Sequence, residues 1–415
     1  MKSEQYISSQ ERAEQHKEEL AVAVEEAIKE DGREMPPGPY QNKIEGWWFS
    51  NKEIEEANKN DKMLTLDLDV GKACNLDCGY CFAQTQCEQR SHYVKETTER
   101  VIKLLDEAAD LGVKSIKIVG AGEPTMFPGL IKVLEHAHKL GIESIIFTGG
   151  HILGADGENN MAKKAFKSEG INDGLELAKR LKDLGASFVV KFLTFDPELQ
   201  QRLVEKEGKP LPFDYVSLRD KGLINLVKLG LNKESVTRLG VDCLLMKQNY
   251  KEAVDLFKFF NERNIFCVLN GSMDCGNTTV DVSTFDDSPY ILNPEVVEYT
   301  ALALYKYCKE NNIPYGDRIS PYFTSPVCSQ LNHGMFVGDN GDTKVCPGGP
   351  IVGKYKSGNL KEIWESNDIR KRCKGCNGHE CISRAGKTYP VDLEGRVKTL
   401  LDKDTLLIEE TEKPA

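Results

Sequence analysis

Met63-Leu-Thr-Leu-Asp-Leu-Asp-Val70, followed at once by Lys72-Ala-Cys-Asn-Leu-Asp-Cys-Gly-Tyr-Cys-Phe82, is the stretch that decides the fold. Its first half alternates apolar and polar residues, the period-two pattern of a β-strand. Its second half is a C-x3-C-x2-C loop that offers three thiolates, Cys74, Cys78 and Cys81, to one centre. Cysteine thiolates are the usual ligands of iron–sulfur clusters, and a cubane normally takes four. Three leave one iron open to bind and reduce something. A structural zinc knuckle needs four closed ligands. Only Cys87 lies close enough, and it lacks the paired spacing of zinc sites. The loop therefore reads as a three-cysteine [4Fe–4S] site.

Strand and helix patterns alternate outward from this loop. Strands are expected at 64–70, 115–119, 144–148, 187–194, 238–246 and 265–270, and helices at 95–111, 128–140, 172–184, 215–229 and 250–264. Such alternation implies a parallel sheet with helices outside. Six units fall short of the eight of a closed barrel. The fold class is α/β, a partial (β/α)6 TIM-like barrel over residues 63–290. Residues 1–62 read as an N-terminal extension, with a charged helix at 9–30 ended by Asp31-Gly32 and an ordered loop ending in Trp47-Trp48. Two tryptophans are large apolar area to leave in water, so one or both should pack on the barrel. Residues 291–325 read as a connecting helix and loop, 326–385 as a cysteine-rich unit and 386–415 as a tail.

About forty residues after the cysteines, at the end of the second strand, stands Ile118-Val-Gly-Ala-Gly-Glu-Pro124. Glycine at a strand end lets backbone approach a ligand closely. Together the two motifs resemble the radical S-adenosylmethionine superfamily. Its signature is this cysteine spacing with an aromatic before the last cysteine, here Tyr80, and a "GGEP" loop, here with Ala121 as an extra residue. The resemblance implies that Gly120, Gly122, Glu123 and Pro124 grip the methionine end of S-adenosylmethionine, and that Tyr80 lies near adenine. Thr148 of Thr148-Gly-Gly150 stands where many relatives have "TNG", near cofactor or substrate. Met246 of Met246-Lys-Gln-Asn249 stands where relatives contact adenine and ribose. Lys191 occupies the place of a serine that touches the cofactor. An inward lysine there is a candidate for binding the cofactor carboxylate and for acid–base catalysis. The alternative is a lysine paired with a neighbouring carboxylate, since inward charges need partners.

Five cysteines lie near the end of the chain: Cys328, Cys346, Cys373, Cys376 and Cys381. Gly338-Asp-Asn-Gly-Asp342 reads as a hairpin turn between strands at 335–337 and 343–345, and a helix is expected at 360–372. This field resembles the C-terminal extension called SPASM, or its shorter twitch form, which carries auxiliary [4Fe–4S] clusters. The full form has seven cysteines, so five support one auxiliary cluster. Its ligands are either Cys328, Cys346, Cys373 and Cys376, the set the resemblance favours because twitch enzymes use a distant pair plus a C-x2-C, or a set in which Cys381 replaces one of the C-x2-C pair. A zinc ribbon on the same thiolates competes with it. Cys243, Cys267, Cys275 and Cys308 are isolated and read as core residues.

The 415-residue chain has 13 cysteines and a net charge of −11. Many cysteines without a signal-peptide start point to a reducing, cytoplasmic compartment. No run reaches the ~18 apolar residues of a membrane span, and the acidic balance makes nucleic acid an unlikely partner. The resemblance implies an enzyme that cleaves S-adenosylmethionine reductively and abstracts hydrogen from a substrate, with flavodoxin or ferredoxin as electron donor. A small polar substrate (a sugar, aminocyclitol or cofactor precursor) is expected. A peptide-modifying maturase and a non-catalytic iron–sulfur carrier or assembly factor are the alternatives.

Overall fold

The computed structural model describes residues 8–401 except 31, 33, 36–37, 84–93, 121, 158–159, 207, 274, 279–287, 314–322, 324–329, 374–380 and 386. At 94–96, 277 and 373 it describes only the backbone. Two helices precede the sheet, α1 (Ser9–Glu30) and α2 (Asn51–Lys59). Six strands follow: β1 (Thr65–Leu68), β2 (Ser115–Ile118), β3 (Glu143–Thr148), β4 (Ala186–Lys191), β5 (Leu239–Leu245) and β6 (Phe266–Gly271). They pair in parallel and in chain order. The helices between them are α3 (Val94–Asp110), α4 (Leu130–Lys139), α5 (Met161–Phe166), α6 (Gly174–Asp183), α7 (Pro197–Leu203), α8 (Tyr215–Lys228) and α9 (Ala253–Asn261). Beyond the sheet lie α10 (Pro294–Glu310), α11 (Gln330–His333), α12 (Leu360–Ser366) and α13 (Asp368–Cys373). This is the partial (β/α)6 barrel expected from the alternating pattern. No helix among the described residues is long and apolar enough to cross a membrane.

Side chains alternate across each strand, and the two faces differ in chemistry. Leu66, Leu68, Ile116, Ile118, Ile146, Phe188 and Val190 point outward and share one core with the helices. The inward residues fall into two layers. Towards the strand starts, Ile145, Val189, Phe266 and Val268 form a small apolar cluster. Trp47 seals it, with its ring 5.4 Å from Phe147 and 5.5 Å from Phe266. One of the two tryptophans therefore packs on the barrel, while Trp48 stays exposed beneath the Lys43 ammonium. Other inward positions are charged: Asp67 pairs in register with Lys117, and Lys191 with Asp242.

The sheet does not end at β1. A seventh strand, β7 (Gly334–Val337), pairs with β1 in parallel, and β8 (Asp342–Lys344) and β9 (Ile351–Lys354) continue antiparallel. β7 and β8 are the expected hairpin, but they extend the barrel sheet to nine strands. The opposite edge, β6, is covered as well. The Asn42 side chain accepts from Cys267 N at 2.9 Å and donates to Cys267 O at 3.2 Å. Phe323 N donates to Leu269 O at 3.0 Å, and Gly271 N donates to the Tyr389 hydroxyl at 2.6 Å. Open strand edges present unpaired backbone groups; here the C-terminal third satisfies them beside β1, and beside β6 together with Asn42 of the N-terminal extension.

Three short helices depart from the expected loops. α2 is set by a capping box between Ser50 and Glu53, and α7 by an Asp196 cap with Pro197 in its first turn. α5 starts on an Asn160 cap. The single helix expected at 360–372 is two, because buried Asn367 is extended and its side chain caps Arg370 N at 3.1 Å.

Candidate functional site

The cysteine loop leaves the carboxyl end of β1 through a tight turn. Asp69 accepts from Gly71 N at 2.9 Å, and Gly71 has φ +133°, a conformation that favours glycine. The glycine-rich loop after β2 packs directly on this turn. A Cβ on Gly122 would lie 2.2 Å from Gly71 O and 2.8 Å from Ala73 O, and one on Gly120 would lie 2.3 Å from Asp69 Oδ1. Glu123 N donates to Ala73 O at 2.8 Å. The glycines thus let one loop backbone approach another. Ala121 lies outside the described residues.

The Glu123 carboxylate is buried and accepts four hydrogen bonds. They come from Thr125 N (3.0 Å), Thr125 Oγ1 (2.5 Å), Thr148 Oγ1 (2.7 Å) and Gly149 N (2.7 Å). It ties the end of β2 to the end of β3. Pro124 opens the buried turn that follows. Thr148 therefore meets Glu123, as the two motif positions would if they faced one cofactor.

Cys74 is buried against Leu76, Val204, Tyr215 and Val216, with Cys78 beside them. Asp77 N donates to Val204 O at 3.0 Å, so the α7–α8 connection lies over the loop. On the other side a Cβ on Gly79 would fall 2.0 Å from the Tyr290 hydroxyl, and one on Gly276 would fall 2.1 Å from Phe82 O. Burial pushes the Cys74 thiol well up, and the neighbouring Cys78, Glu123 and Cys81 add to it. Burial likewise pushes Cys78 up to about 12, against the Tyr80 hydrogen bond that lowers it. Thiols this dry become thiolates only with a cation to compensate. Among the described residues no group of three or more His, Cys, Asp or Glu side chains converges on a single ion. A cubane asks for something different, because each thiolate binds its own iron and the sulfurs stand further apart. Three thiols within one another's field fit such a cluster.

Lys191 ends β4 and points at this loop. Its ammonium donates to Asp242 on β5 and lies 5.6 Å from the centre of the Tyr80 ring. Asp242 also accepts from Asn270 Nδ2 at 2.7 Å. The lysine has the carboxylate partner that an inward charge requires. Tyr80 and Met246 are buried together with Leu193, Leu203 and Leu244. Met246 N donates to Asn249 Oδ1 at 2.7 Å, which shapes the end of β5.

Sequence reasoning missed several neighbours of these residues. Asp242 is an acid in an otherwise apolar strand, and that alternation was its signal. His151 follows the glycine pair after β3, and its Nε2 lies 2.9 Å from Asn75 Oδ1 in the cysteine loop. It is fully buried, stacks on Phe213 at 5.7 Å, and burial lowers its pKa to about 4. Tyr215 donates to Gly149 O at 3.0 Å. No spacing rule marks such residues.

In the C-terminal field Cys346 follows β8, and its Sγ lies 3.1 Å from Ser383 Oγ. Ser383 sits two residues past Cys381, whose Sγ accepts from Arg384 Nη1 at 3.5 Å. Cys346 and the Cys381 turn therefore meet. Cys328 and Cys376 lie outside the described residues, and Cys373 is described only as the backbone end of α13.

Residues 68–260 match the model of the Radical SAM superfamily. The chain is 26% identical over 205 residues to Fe-coproporphyrin III synthase of Methanosarcina barkeri, covering 49% of this chain and 43% of that protein. It is 29% identical over 102 residues to the S-adenosylmethionine-dependent nucleotide dehydratase of Flammeovirga pacifica, covering 23% and 34%. It is 27% identical over 203 residues to a GTP 3',8-cyclase of Helicobacter pylori, covering 48% and 53%. The chain thus spans about a third to a half of the length of these curated relatives. Among solved structures, Streptococcus suis SuiB bound to S-adenosylmethionine is similar at 17% identity and a TM-score of 0.49, over 78% of this chain and 71% of that one. The segment 68–260, with its cysteine and glycine-rich loops on one end of a parallel sheet, is the part of this chain that matches the radical SAM superfamily.

Proposed function

We propose that the protein is a radical S-adenosylmethionine enzyme acting on a small polar substrate. When bound, a [4Fe–4S] cluster on Cys74, Cys78 and Cys81 supplies reductive cleavage of S-adenosylmethionine to methionine and a 5′-deoxyadenosyl radical. The observation that carries this reading is the packing of the glycine-rich loop on the cysteine turn, with Glu123 N on Ala73 O and glycine surfaces with no room for a side chain. The chain's own task is to hold the loop ends together and keep water from a reactive site. Glu123 does the first through its four hydrogen bonds, and Tyr215, Tyr290, Val204 and Met246 contribute the apolar cover. Gly120, Gly122, Pro124 and Thr148 belong to the cofactor's methionine end, and Tyr80 and Met246 to its adenosine end. Lys191 has ammonium protons left beyond its bond to Asp242, to offer to a cofactor carboxylate or a substrate. The polar substrate class is supported by the inner wall, where Asp67, Lys117, Lys191, Asp242 and Asn270 replace the aliphatic residues of a dry core.

A second cluster on the C-terminal cysteines completes the proposal. Contact between Cys346 and the Cys381 turn supports Cys381 as a ligand beside Cys346, with Cys328, Cys373 and Cys376 as the other candidates. Anaerobically reconstituted protein should hold about eight irons, two cubanes by ligand count. Near four irons and one zinc would overturn the second cluster alone. Genuine substrate is recognised by product formed in step with 5′-deoxyadenosine. If cleavage couples to a peptide and to no small polar molecule, the substrate class proposed here is wrong.

A further inference from the structure

Arg384 is buried, 5% exposed, and carries hydrogen bonds in three directions. Its Nε donates to Gly271 O at 2.9 Å, its Nη2 to Asn270 Oδ1 at 3.4 Å and its Nη1 to Cys381 Sγ at 3.5 Å. Gly271 and Asn270 close β6. Asn270 in turn donates to Asp242 at 2.7 Å, and Asp242 holds Lys191 on the inner wall. Direct contacts therefore run without a break from a C-terminal cysteine to the ion pair facing the first cysteine loop. Nothing in the sequence pattern required this, since Cys381 and Asp242 lie on segments far apart in the chain.

We infer that Arg384 is a positioning residue for the Cys381 sulfur, fixing it to the end of β6 and raising the reduction potential of the centre it ligates, with Asp242 opposing that effect. The inference rests on the C-terminal cluster proposed above. A cationic N–H aimed at a metal-bound thiolate withdraws charge from the sulfur and favours the reduced state. Hydrogen bonds to the sulfurs and the net charge around them set such potentials. The Asp242 carboxylate, two hydrogen bonds away through Asn270, acts with the opposite sign. Because the guanidinium is anchored by a backbone carbonyl, its direction does not depend on a flexible partner. Lysine would keep the charge and lose the planar fork.

The test uses the full chain with both centres in place. Added S-adenosylmethionine changes the electron paramagnetic resonance signal of the open-iron cluster, and the signal that does not change reports the C-terminal one. A redox titration then reads its midpoint potential. Arg384→Gln should shift it to a more negative value, with Arg384→Lys between that and the parent, and Asp242→Asn should shift it to a more positive one. An unchanged potential in Arg384→Gln at parental iron content overturns the role, as does a shift of the same sign in both variants. If Arg384→Gln loses its iron, Asp242→Asn decides alone, because it leaves the Arg384 bond to Gly271 in place: a positive shift supports the role and no shift overturns it. A parent without any cofactor-insensitive cluster signal overturns the C-terminal cluster and this role with it. The other failures leave that cluster standing.

Discussion

The two cysteine regions of this protein are built in opposite ways. The first hangs between two loops of a continuous sheet, with its turn, its glycine contacts and its apolar cover all supplied by the barrel. The second lies on a hairpin and a turn that attach to the barrel's two open edges, β7 along β1 and the Arg384 and Tyr389 side chains along β6. At the first site two loop backbones pack on each other around the buried Glu123 carboxylate. At the second, Cys346 and Cys381 are each met by a side-chain hydrogen bond. The difference teaches where to expect rigidity. Damage to the first region should cost folding energy and iron together, and damage to the second should be local.

The largest effect should come from Glu123→Ala. It leaves buried donors from Thr125, Thr148 and Gly149 without an acceptor. At about 1–3 kcal/mol for each unsatisfied donor, partly offset by rearrangement, a loss of about 4 kcal/mol is expected in urea unfolding. Iron should be lost from the N-terminal site and kept at the C-terminal one; equal loss from both would break the contrast. Gly122→Ala comes next. Its Cβ would meet backbone oxygens at 2.2 and 2.8 Å, neither of which can move as a side chain can. Overpacking of this kind costs about 3 kcal/mol, and normal stability with normal iron would show that the two loops are not in contact.

Acid sharpens the comparison further, because each region has its own buried histidine. Burial holds His151 and His333 to about 4, below the 6.5 of a free imidazole, with Lys117 adding to the effect at His333. A depressed histidine pKa means that the unfolded chain takes up more protons between pH 6.5 and 4, so stability falls as pH drops through that window. The expected cost on moving from pH 7 to pH 5 is about 2 kcal/mol per histidine. His151→Phe and His333→Phe should each remove their share of the slope in the urea midpoint, and a slope unchanged in both would contradict the burial argument. The smallest effect belongs to Ser383→Ala, which removes one contact to Cys346 Sγ. It should cost about 1 kcal/mol or less, leave the first site untouched, and be seen as faster iron loss to a chelator from the C-terminal site alone.

Much of the barrel was legible because its signals are local. Strand alternation put β1 to β6 within a few residues of their observed bounds, and α1 spans the expected 9–30. The cysteine loop was readable because three identical ligand types at fixed spacing have few other uses. Side-chain pairing was harder. Lys191 stood out as an inward charge, while its partner Asp242 lies some fifty residues on (|i−j| = 51) in the neighbouring strand, where only register brings them together. Glu123 shows the limit of a motif. Its place beside the cysteine turn followed from the pattern, but the use of its carboxylate as a four-bond tie between β2 and β3 depends on Thr125 and Thr148, which the glycines do not encode. β7 was recognised as a strand and its partner was not, because a parallel partner across more than 260 residues leaves no mark in either segment.

The central claim is that the first cysteine site alone cleaves S-adenosylmethionine and that the second is attached to it. The most direct measurement is the 5′-deoxyadenosine released anaerobically, with a strong reductant, by the parent and two variants. Replacing Cys74, Cys78 and Cys81 with alanine should abolish release, and replacing Cys346 and Cys381 with alanine should leave it close to the parent. Release that survives loss of the first three cysteines, or vanishes with loss of the last two, would contradict the account.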